Sequence, residues 1–246
     1  MKQYLQCCII TFLAAWLNQS CDSKPIDLPK FVTFSEITNS QIALDSFYTQ
    51  GIASVDLNND FYPELYMTNS WEGFDNHFYN NLKSAYTKDT ISFQLSDKSF
   101  SNGCAFADLN NDGILDLCLA NANNKYNTVL FGGSNYQYSE NFIDTNAANC
   151  SYNTAISDVD NDGVLEIYIS NFHSKKNMFY RINGNQFIEI DSTEITADTS
   201  STLFSTWTDL NNDGLQDLIV CNDSVNYIFR NEDNLVFTRI SNDFSI

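Results

Sequence analysis

The sequence predicts an all-β protein: a β-propeller-like array of about four four-stranded antiparallel blades, either a closed four-blade ring or an open partial propeller. A nine-residue acidic loop occurs four times, and its leading aspartates, Asp56, Asp108, Asp158 and Asp209, are 52, 50 and 51 residues apart. The residues between the loops are rich in Asn, Ser, Thr and aromatic side chains, which favour strands and turns over helices. Units of about fifty residues with four strands are typical of propeller blades.

Length and composition agree with a folded domain and exclude some partners. The chain has 246 residues, 43% of them apolar and 14% aromatic, and its formal net charge is −19. This charge argues against nucleic acid or an anionic membrane surface as a partner. The four loops carry 13 of the 31 acidic residues, so we interpret much of the acidity as a metal-binding feature.

The N-terminal residues have the pattern of a secretion signal. Residues 1–20 combine the positive charge of Lys2 with an apolar run shorter than the twenty or so residues that span a membrane. The signal resembles the bacterial lipoprotein type, in which Cys21 would be lipidated; ordinary cleavage nearby is the alternative. We therefore expect a secreted or cell-surface, outer-membrane lipoprotein, with a linker over residues 21–30 and a strand over 31–37.

Each repeat shows the same order of four strands. A strand enters the acidic loop, an apolar strand leaves it, and two more strands complete the unit. The predicted strands are 51–55, 65–67, 76–79 and 92–95 in blade one; 103–107, 117–119, 127–131 and 136–138 in blade two; 153–157, 167–169, 177–180 and 187–190 in blade three; and 205–208, 218–220, 226–229 and 236–240 in blade four.

The repeated loops have the pattern of calcium ligands. Side-chain oxygens stand at positions 1, 3, 5 and 9, and a glycine at position 6 lets the backbone turn sharply so that they converge. Loop three has four carboxylates where the others have three, so we expect it to bind calcium most strongly. The loops are loop one (residues 56–64), loop two (108–116), loop three (158–166) and loop four (209–217).

Loop and strand pattern together resemble the VCBS and FG-GAP-like repeat family, whose propeller repeats also occur in integrin α subunits. The resemblance covers residues 31–246, and the scarcity of Phe-Gly and Gly-Ala-Pro signatures places the VCBS branch nearer. It implies calcium as the cofactor, bound by side chains at positions 1, 3, 5 and 9 and by the carbonyl at position 7. The implied ligands are Asp108, Asn110, Asp112, Ile114 and Asp116; Asp158, Asp160, Asp162, Val164 and Glu166; Asp209, Asn211, Asp213, Leu215 and Asp217; and, in loop one, Asp56, Asn58, Asp60, Tyr62 and Glu64.

Loop one departs from this pattern. Phe61 replaces the glycine of position 6, and a left-handed backbone at a non-glycine residue costs about 1–2 kcal/mol. Pro63 stiffens the same loop. Whether loop one binds metal therefore stays open on the sequence.

An asparagine stands thirteen residues after each leading aspartate, at Asn69, Asn121, Asn171 and Asn222. We interpret it as a side chain that satisfies the backbone of a turn; a ligand-binding group is the alternative. The cysteines of the repeats, Cys104, Cys118, Cys150 and Cys221, are interpreted as buried free thiols, since Cys104 and Cys118 would be diagonal in one hairpin.

The pattern of reactive residues favours a binding protein over an enzyme. The two histidines, His77 and His173, fall at different places in their repeats and fit no zinc or nucleophile motif, so we interpret them as surface or turn residues. We expect a non-enzymatic binding or adhesion module for an extracellular protein or glycan, with Trp71, Phe74 and Tyr86 of blade one as the first candidate contacts. The alternative is the non-catalytic propeller part of an enzyme that degrades polysaccharide or lipid.

Overall fold

The computed structural model of the protein describes residues 38, 40–71, 75–83, 85–89, 100–134, 137–144, 150–191 and 193–240. Within them, the chain forms four antiparallel four-stranded sheets, each made of strands that are consecutive in sequence. The all-β prediction of four blades is confirmed. The signal over 1–20, the linker over 21–30 and the strand over 31–37 lie outside the described residues.

The blades follow one another along the chain, and single helical turns precede the first and the last. Helix α1 (Gln41–Leu44) precedes blade one and α2 (Glu194–Ala197) precedes blade four. Within the described ranges, no helix has the length and apolar character needed to cross a membrane. The strands are β1 (Thr49–Val55), β2 (Glu64–Asn69), β3 (His77–Asn81) and β4 (Tyr86–Asp89); β5 (Phe100–Ala107), β6 (Asp116–Ala122), β7 (Thr128–Gly132) and β8 (Tyr138–Phe142); β9 (Ser151–Ser157), β10 (Glu166–Asn171), β11 (Met178–Asn183) and β12 (Gln186–Glu189); β13 (Thr202–Thr208), β14 (Asp217–Asn222), β15 (Tyr227–Asn231) and β16 (Phe237–Arg239).

The fourth strand of blade one was predicted in the wrong place. It occupies Tyr86–Asp89 rather than residues 92–95, which lie outside the described residues. A tight turn causes the early return: the Leu82 amide donates to the Ala85 carbonyl at 2.9 Å. The connection between β3 and β4 is therefore shorter than the interval between the predicted strands, and Tyr86, a predicted ligand contact, belongs to a strand paired with β3.

The core lies between neighbouring blades. The second strand of each blade is buried on both faces over most of its length, as its apolar sequence predicted. Three apolar clusters form, one at each junction between consecutive blades, and each draws side chains from both blades of its pair. Burial of such side chains contributes about 25 cal/mol per Å² of apolar surface, so each blade depends on its neighbours for stability.

The first strands pack in series at the centre of the array. β1, β5, β9 and β13 contact one another in that order, and β13 makes no comparable contact with β1 within the described residues. The spacing is tight enough to require glycine: a Cβ atom at Gly51 would lie 2.5 Å from the Asn102 carbonyl oxygen, and one at Gly103 would lie 2.7 Å from the Cα atom of Asn153. The four blades thus form an open series.

The asparagine that ends each second strand satisfies a turn. In blade three the Asn171 side-chain NH2 donates to the Lys176 carbonyl at 2.6 Å, and its backbone N–H donates to Oδ1 of Asn177 at 2.8 Å. The same pair of bonds recurs in the other blades. These contacts support the interpretation that the asparagine satisfies the backbone of a turn, over the alternative of a ligand-binding group.

A buried hydrogen-bond relay links consecutive blades, and the sequence analysis missed it. The amide NH2 of Asn127 donates to the hydroxyl of Ser151 in the next blade at 3.0 Å, and Ser151 donates to Oδ1 of Asn171 at 2.6 Å. We call this arrangement the asparagine relay. It has two other copies, Asn76–Ser101–Asn121 and Asn177–Thr202–Asn222.

Two expectations about reactive side chains change with the structure. His77 is buried on β3 with 5% of its surface exposed, and its ring centroid lies 3.9 Å from that of the tilted Phe47 ring, so the surface interpretation is wrong for it. His173 does lie in a turn, at φ +55°. The four cysteines of the repeats are free thiols, and only Cys118 is fully buried. Cys104 pairs with Leu119 and Cys118 pairs with Ala105, so the two cysteines lie on opposite faces of the sheet and are not diagonal on one face as expected.

The relay predicts a large cost for removing one hydroxyl. In Ser151→Ala, an NH2 hydrogen of Asn127 and Oδ1 of Asn171 lose their buried partner, and each such group costs about 1–3 kcal/mol. We expect urea unfolding to show a loss of about 2–4 kcal/mol. Ser151→Thr is the matched control, because blade four uses Thr202 in this place; equal stability of the two variants would contradict the relay.

His77 predicts a pH dependence of stability. Burial lowers the pKa of His77 below its usual 6.5, reinforced by the charge of Lys88 and opposed by Asp45 and Asp75. The unfolded chain therefore binds more protons just below pH 6.5, and stability is lost as the pH falls through that value. We expect wild type to lose about 1 kcal/mol more than His77→Phe between pH 7.5 and 5.5 in urea titrations. Equal losses would show that His77 is not the group that titrates.

Candidate metal-binding loops

Each acidic loop is held by its own carboxylates. The position 1 aspartate accepts the backbone N–H groups of positions 5 and 6, and the position 5 aspartate accepts that of position 7. In loop two these bonds run from Asp112 and Gly113 to Asp108, and from Ile114 to Asp112, at 2.8–3.0 Å. The same bonds recur in the other three loops.

Two positions of each loop have a left-handed backbone. Position 6 has φ +84° to +88° at Gly113, Gly163 and Gly214. Position 4 is left-handed as well, and asparagine, which tolerates this conformation better than other side chains, stands there in every loop: Asn59, Asn111, Asn161 and Asn212. This role of position 4 was missed, although the repetition of asparagine there was visible in the sequence.

Loop one adopts the same turn despite its irregular sequence. Phe61 takes φ +68° at position 6, and its ring is 91% exposed. Its N–H donates to Asp56 at 2.8 Å, as the glycine N–H does in the other loops. The departures at Phe61 and Pro63 therefore leave the loop geometry intact.

The position 9 carboxylate is the buried end of each loop. Glu64, Asp116, Glu166 and Asp217 are at most 1% exposed, and each accepts the N–H of loop position 2 at 2.8–3.0 Å. Burial raises the pKa of Glu64 and Asp116, and it raises the pKa of Glu166 to about 7. A charged carboxylate in this position needs a compensating cation.

Aspartate and glutamate use their second oxygen differently at position 9. Asp116 accepts the N–H of Gly132 at 2.7 Å, and Asp217 accepts that of Asn231 at 2.8 Å, both from the third strand. Glu64 instead accepts the Asn58 amide at 3.1 Å inside the loop. Oε1 of Glu166 is buried and has no hydrogen-bond partner within the described residues.

Loop three brings three carboxylates together. Oxygens of Asp158, Asp160 and Glu166 lie within 4.8 Å of one another. Hard oxygen donors at this spacing, one of them buried without a hydrogen-bond partner, fit a divalent cation such as calcium. Positions 1, 3 and 9 of loop three are thus brought together, whereas Asp162 at position 5 is not part of this group and accepts the N–H of position 7.

An arginine that the sequence analysis did not single out faces loop three. The Arg181 guanidinium on β11 lies 3.1 Å from Oδ2 of Asp160, contacts Asp162 as well, and is 4.0 Å from Glu166. Arg181 is paired with Glu166 across the sheet, so the strand register was the signal that could have found it. Its charge offsets one of the four carboxylates of this loop.

Comparison with known proteins gives a family and a fold. A family model for the FG-GAP-like repeat matches three times, over residues 56–119, 108–169 and 158–220. No curated protein matches the sequence. Among solved structures, an Agrocybe aegerita lectin described as recognising non-reducing terminal N-acetylglucosamine superposes with a TM-score of 0.54 at 15% identity, over 81% of this chain and 54% of the lectin.

The chain thus spans about half the length of that lectin, and the likeness concerns the fold alone. The overlapping family matches cover most of the four blades, and each begins at the leading aspartate of an acidic loop. On this evidence the protein belongs to the FG-GAP-like repeat family.

Proposed function

We propose that the protein is a calcium-binding repeat module that is displayed outside the cell and binds a glycan or protein without catalysing a reaction. The observation that carries the calcium part is in loop three, where an oxygen of the buried Glu166 lies within 4.8 Å of oxygens of Asp158 and Asp160. Calcium would offset the charge of the buried carboxylates Glu64, Asp116 and Asp217, and at Glu166 it would add to the positive charge of Arg181. Display outside the cell is supported by the signal-like residues 1–20 and by Cys21.

A glycan ligand is supported by fold and surface together. The lectin that shares the fold recognises a sugar, and blade one exposes an aromatic pair: Tyr48 and Trp71 stack at 4.8 Å with 61% and 53% of their surfaces exposed. Flat aromatic surfaces offer a large apolar contact at little cost in side-chain entropy. Trp71 was among the predicted contacts; Tyr86 is a strand residue bonded to Asn81, and Phe74 lies outside the described residues.

Calcium should stabilise the fold by mass action. Each calcium site adds about 2.7 kcal/mol to the free energy of unfolding when free calcium is in hundredfold excess over the dissociation constant of the site. That dissociation constant is ~10⁻⁴–10⁻³ M in extracellular modules. We expect a chelator to lower the melting temperature, calcium to restore it, and magnesium to restore it less. Asp112→Ala should lose part of the calcium effect, and Glu189→Ala, an exposed acidic residue outside the loops, none. A melting curve indifferent to chelator would remove the calcium proposal.

Arg181 predicts an unequal response of the loops. The guanidinium of Arg181 offsets the charge of one carboxylate in loop three. Its removal in Arg181→Gln should therefore let all four carboxylates contribute to the calcium affinity of this loop. We expect calorimetry to show affinity raised about two- to fivefold, the 0.5–1 kcal/mol of a partly exposed ion pair. Asp160→Asn should weaken the same site, and Asn110→Asp should strengthen loop two.

Arg230→Gln is the matched control for Arg181. Arg230 stands at the corresponding place in blade four, next to the Leu218–Phe229 pair, but its guanidinium binds Glu232 at 2.7 Å. Because Arg230 acts on Asp213 and Asp217 only through its charge and is held by Glu232, its replacement should change the calcium affinity of loop four less than Arg181→Gln changes that of loop three. A loss of affinity in Arg181→Gln would mean that the arginine supports the site instead of competing for it.

Ligand binding is tested on immobilised glycans in calcium. We expect binding by the wild type, a loss of at least about tenfold in Trp71→Ala and Tyr48→Ala, and no change in Phe142→Ala, another exposed aromatic. The same glycans incubated with the protein should remain uncleaved. Cleavage that disappears in His173→Ala would replace the binding proposal with an enzymatic one.

A further inference from the structure

A blade can contact other blades through two of its faces. The face directed at the following blade is called the exit face, and the face directed at the preceding blade is called the entry face. In the described residues, the exit face of blade four and the entry face of blade one contact no other blade. These two open faces are complementary in hydrogen-bonding groups, and each carries an exposed apolar residue.

The asparagine relay is interrupted at both open faces, in matching ways. On the entry face of blade one, Oδ1 of Asn69 is buried and has no hydrogen-bond partner among the residues that the structure describes. Thr49 pairs with Asn69 in the register that Ser151 has with Asn171, but it is exposed and does not bond to that oxygen. In the described residues, the entry face therefore presents the acceptor oxygen of Asn69 and the hydroxyl of Thr49, but no asparagine NH2 of a preceding blade donates to them.

The exit face of blade four carries the missing donor. Asn226 corresponds to Asn76, Asn127 and Asn177, whose side-chain NH2 groups donate to the next blade. It still accepts the Asn222 N–H at 3.0 Å. Its own NH2 is exposed and has no protein partner within the described residues.

The apolar residues at the two ends are also complementary. Five residues before the leading aspartate, the exit face carries Gly51, Gly103 and Asn153 in blades one to three but Phe204, 50% exposed, in blade four. Four residues before it, the entry face carries Cys104, Thr154 and Ser205 in blades two to four but Ile52, 56% exposed, in blade one.

Internal contacts show that these two positions meet. Oδ1 of Asn153 accepts the N–H and the hydroxyl of Ser205 in the next blade, both at 3.0 Å. This pair between blades three and four is polar, whereas the corresponding pair at the open ends, Phe204 and Ile52, is apolar. Contact between Phe204 and Ile52 would remove apolar surface of both side chains from water.

We propose that the exit face of blade four docks on the entry face of blade one of a second copy of this chain, so that two copies close a ring of eight blades. Asn226 then donates to Thr49, whose hydroxyl donates to Asn69, and Phe204 packs over Gly51 against Ile52. The contact is head-to-tail and is used twice, which closes the assembly. Eight blades lie within the range that propellers adopt.

The mass of the protein in solution tests the proposal. We expect the full chain at about 50 μM, well above the micromolar dissociation constants of specific interfaces, to sediment as two copies. A monomer would overturn the proposal and make Phe204 a cap on the last blade. A ladder of species larger than two copies would also overturn it, because the ring would not close.

Two charged substitutions locate the contact. Phe204→Asp and Ile52→Asp should each raise the dimer dissociation constant at least about tenfold. Both positions are exposed, so the melting temperature of the monomer should be kept. Ile188→Asp, at a 49% exposed residue of the outer strand β12, is the matched control and should leave the dimer unchanged. Dimers that tolerate both end substitutions would overturn the assignment of the faces.

A disulfide trap gives an independent result. The hydroxyls of Ser170 on an exit face and Ser205 on the next entry face are 2.8 Å apart. Their counterparts at the open ends are Cys221, already a free thiol, and Ile52. Oxidised Ile52→Cys should give a covalent dimer that reductant releases, and the same variant with Cys221→Ser should not. A failure of Ile52→Cys to cross-link would overturn the proposed register.

Discussion

The asparagine relay is the interaction on which the array depends. Each copy buries two amides and a hydroxyl between blades, where unpaired polar groups would be costly. The hydroxyl can satisfy both amides only when the two blades are in register, so the relay fixes how one sheet sits on the next. The apolar clusters beside it supply most of the burial energy, but they are less directional and set no register by themselves.

The acidic loops depend on this stacking in turn. Position 9 opens the second strand, and in blades two and three this strand is covered on both faces because blades lie on either side of it. In these two blades the carboxylate is therefore desolvated by the fold and not by the loop, which is why burial is the leading cause of the raised pKa at Asp116 and Glu166. The residue at position 9 links the candidate cation site to the repeat, because it is the last residue of the acidic loop and the first residue of the buried second strand.

The sequence predicted the features that are local and repeated, and missed those that join distant residues. Loop spacing and apolar strands gave the blade count and most strand positions, because both follow from short-range patterns. The turn role of Asn171 was favoured for the same reason. Ser151 as the bridge between two asparagines depends on contacts with the preceding blade, and Arg181 over Asp160 depends on strand register. His77 was misassigned because its burial comes from Phe47, thirty residues earlier, which no local pattern indicates.

The serial packing of β1, β5, β9 and β13 makes the chain a one-dimensional system with nearest-neighbour coupling. In such a system an interior blade is held by two junctions and a terminal blade by one, so native-state opening begins at the ends and moves inward. The free energy of opening then depends on distance from a terminus as much as on the sequence of the blade itself. Amide protons of β9 and β10 should consequently exchange later than those of β1 or β14 for reasons of position alone, and an array without ends would abolish this gradient.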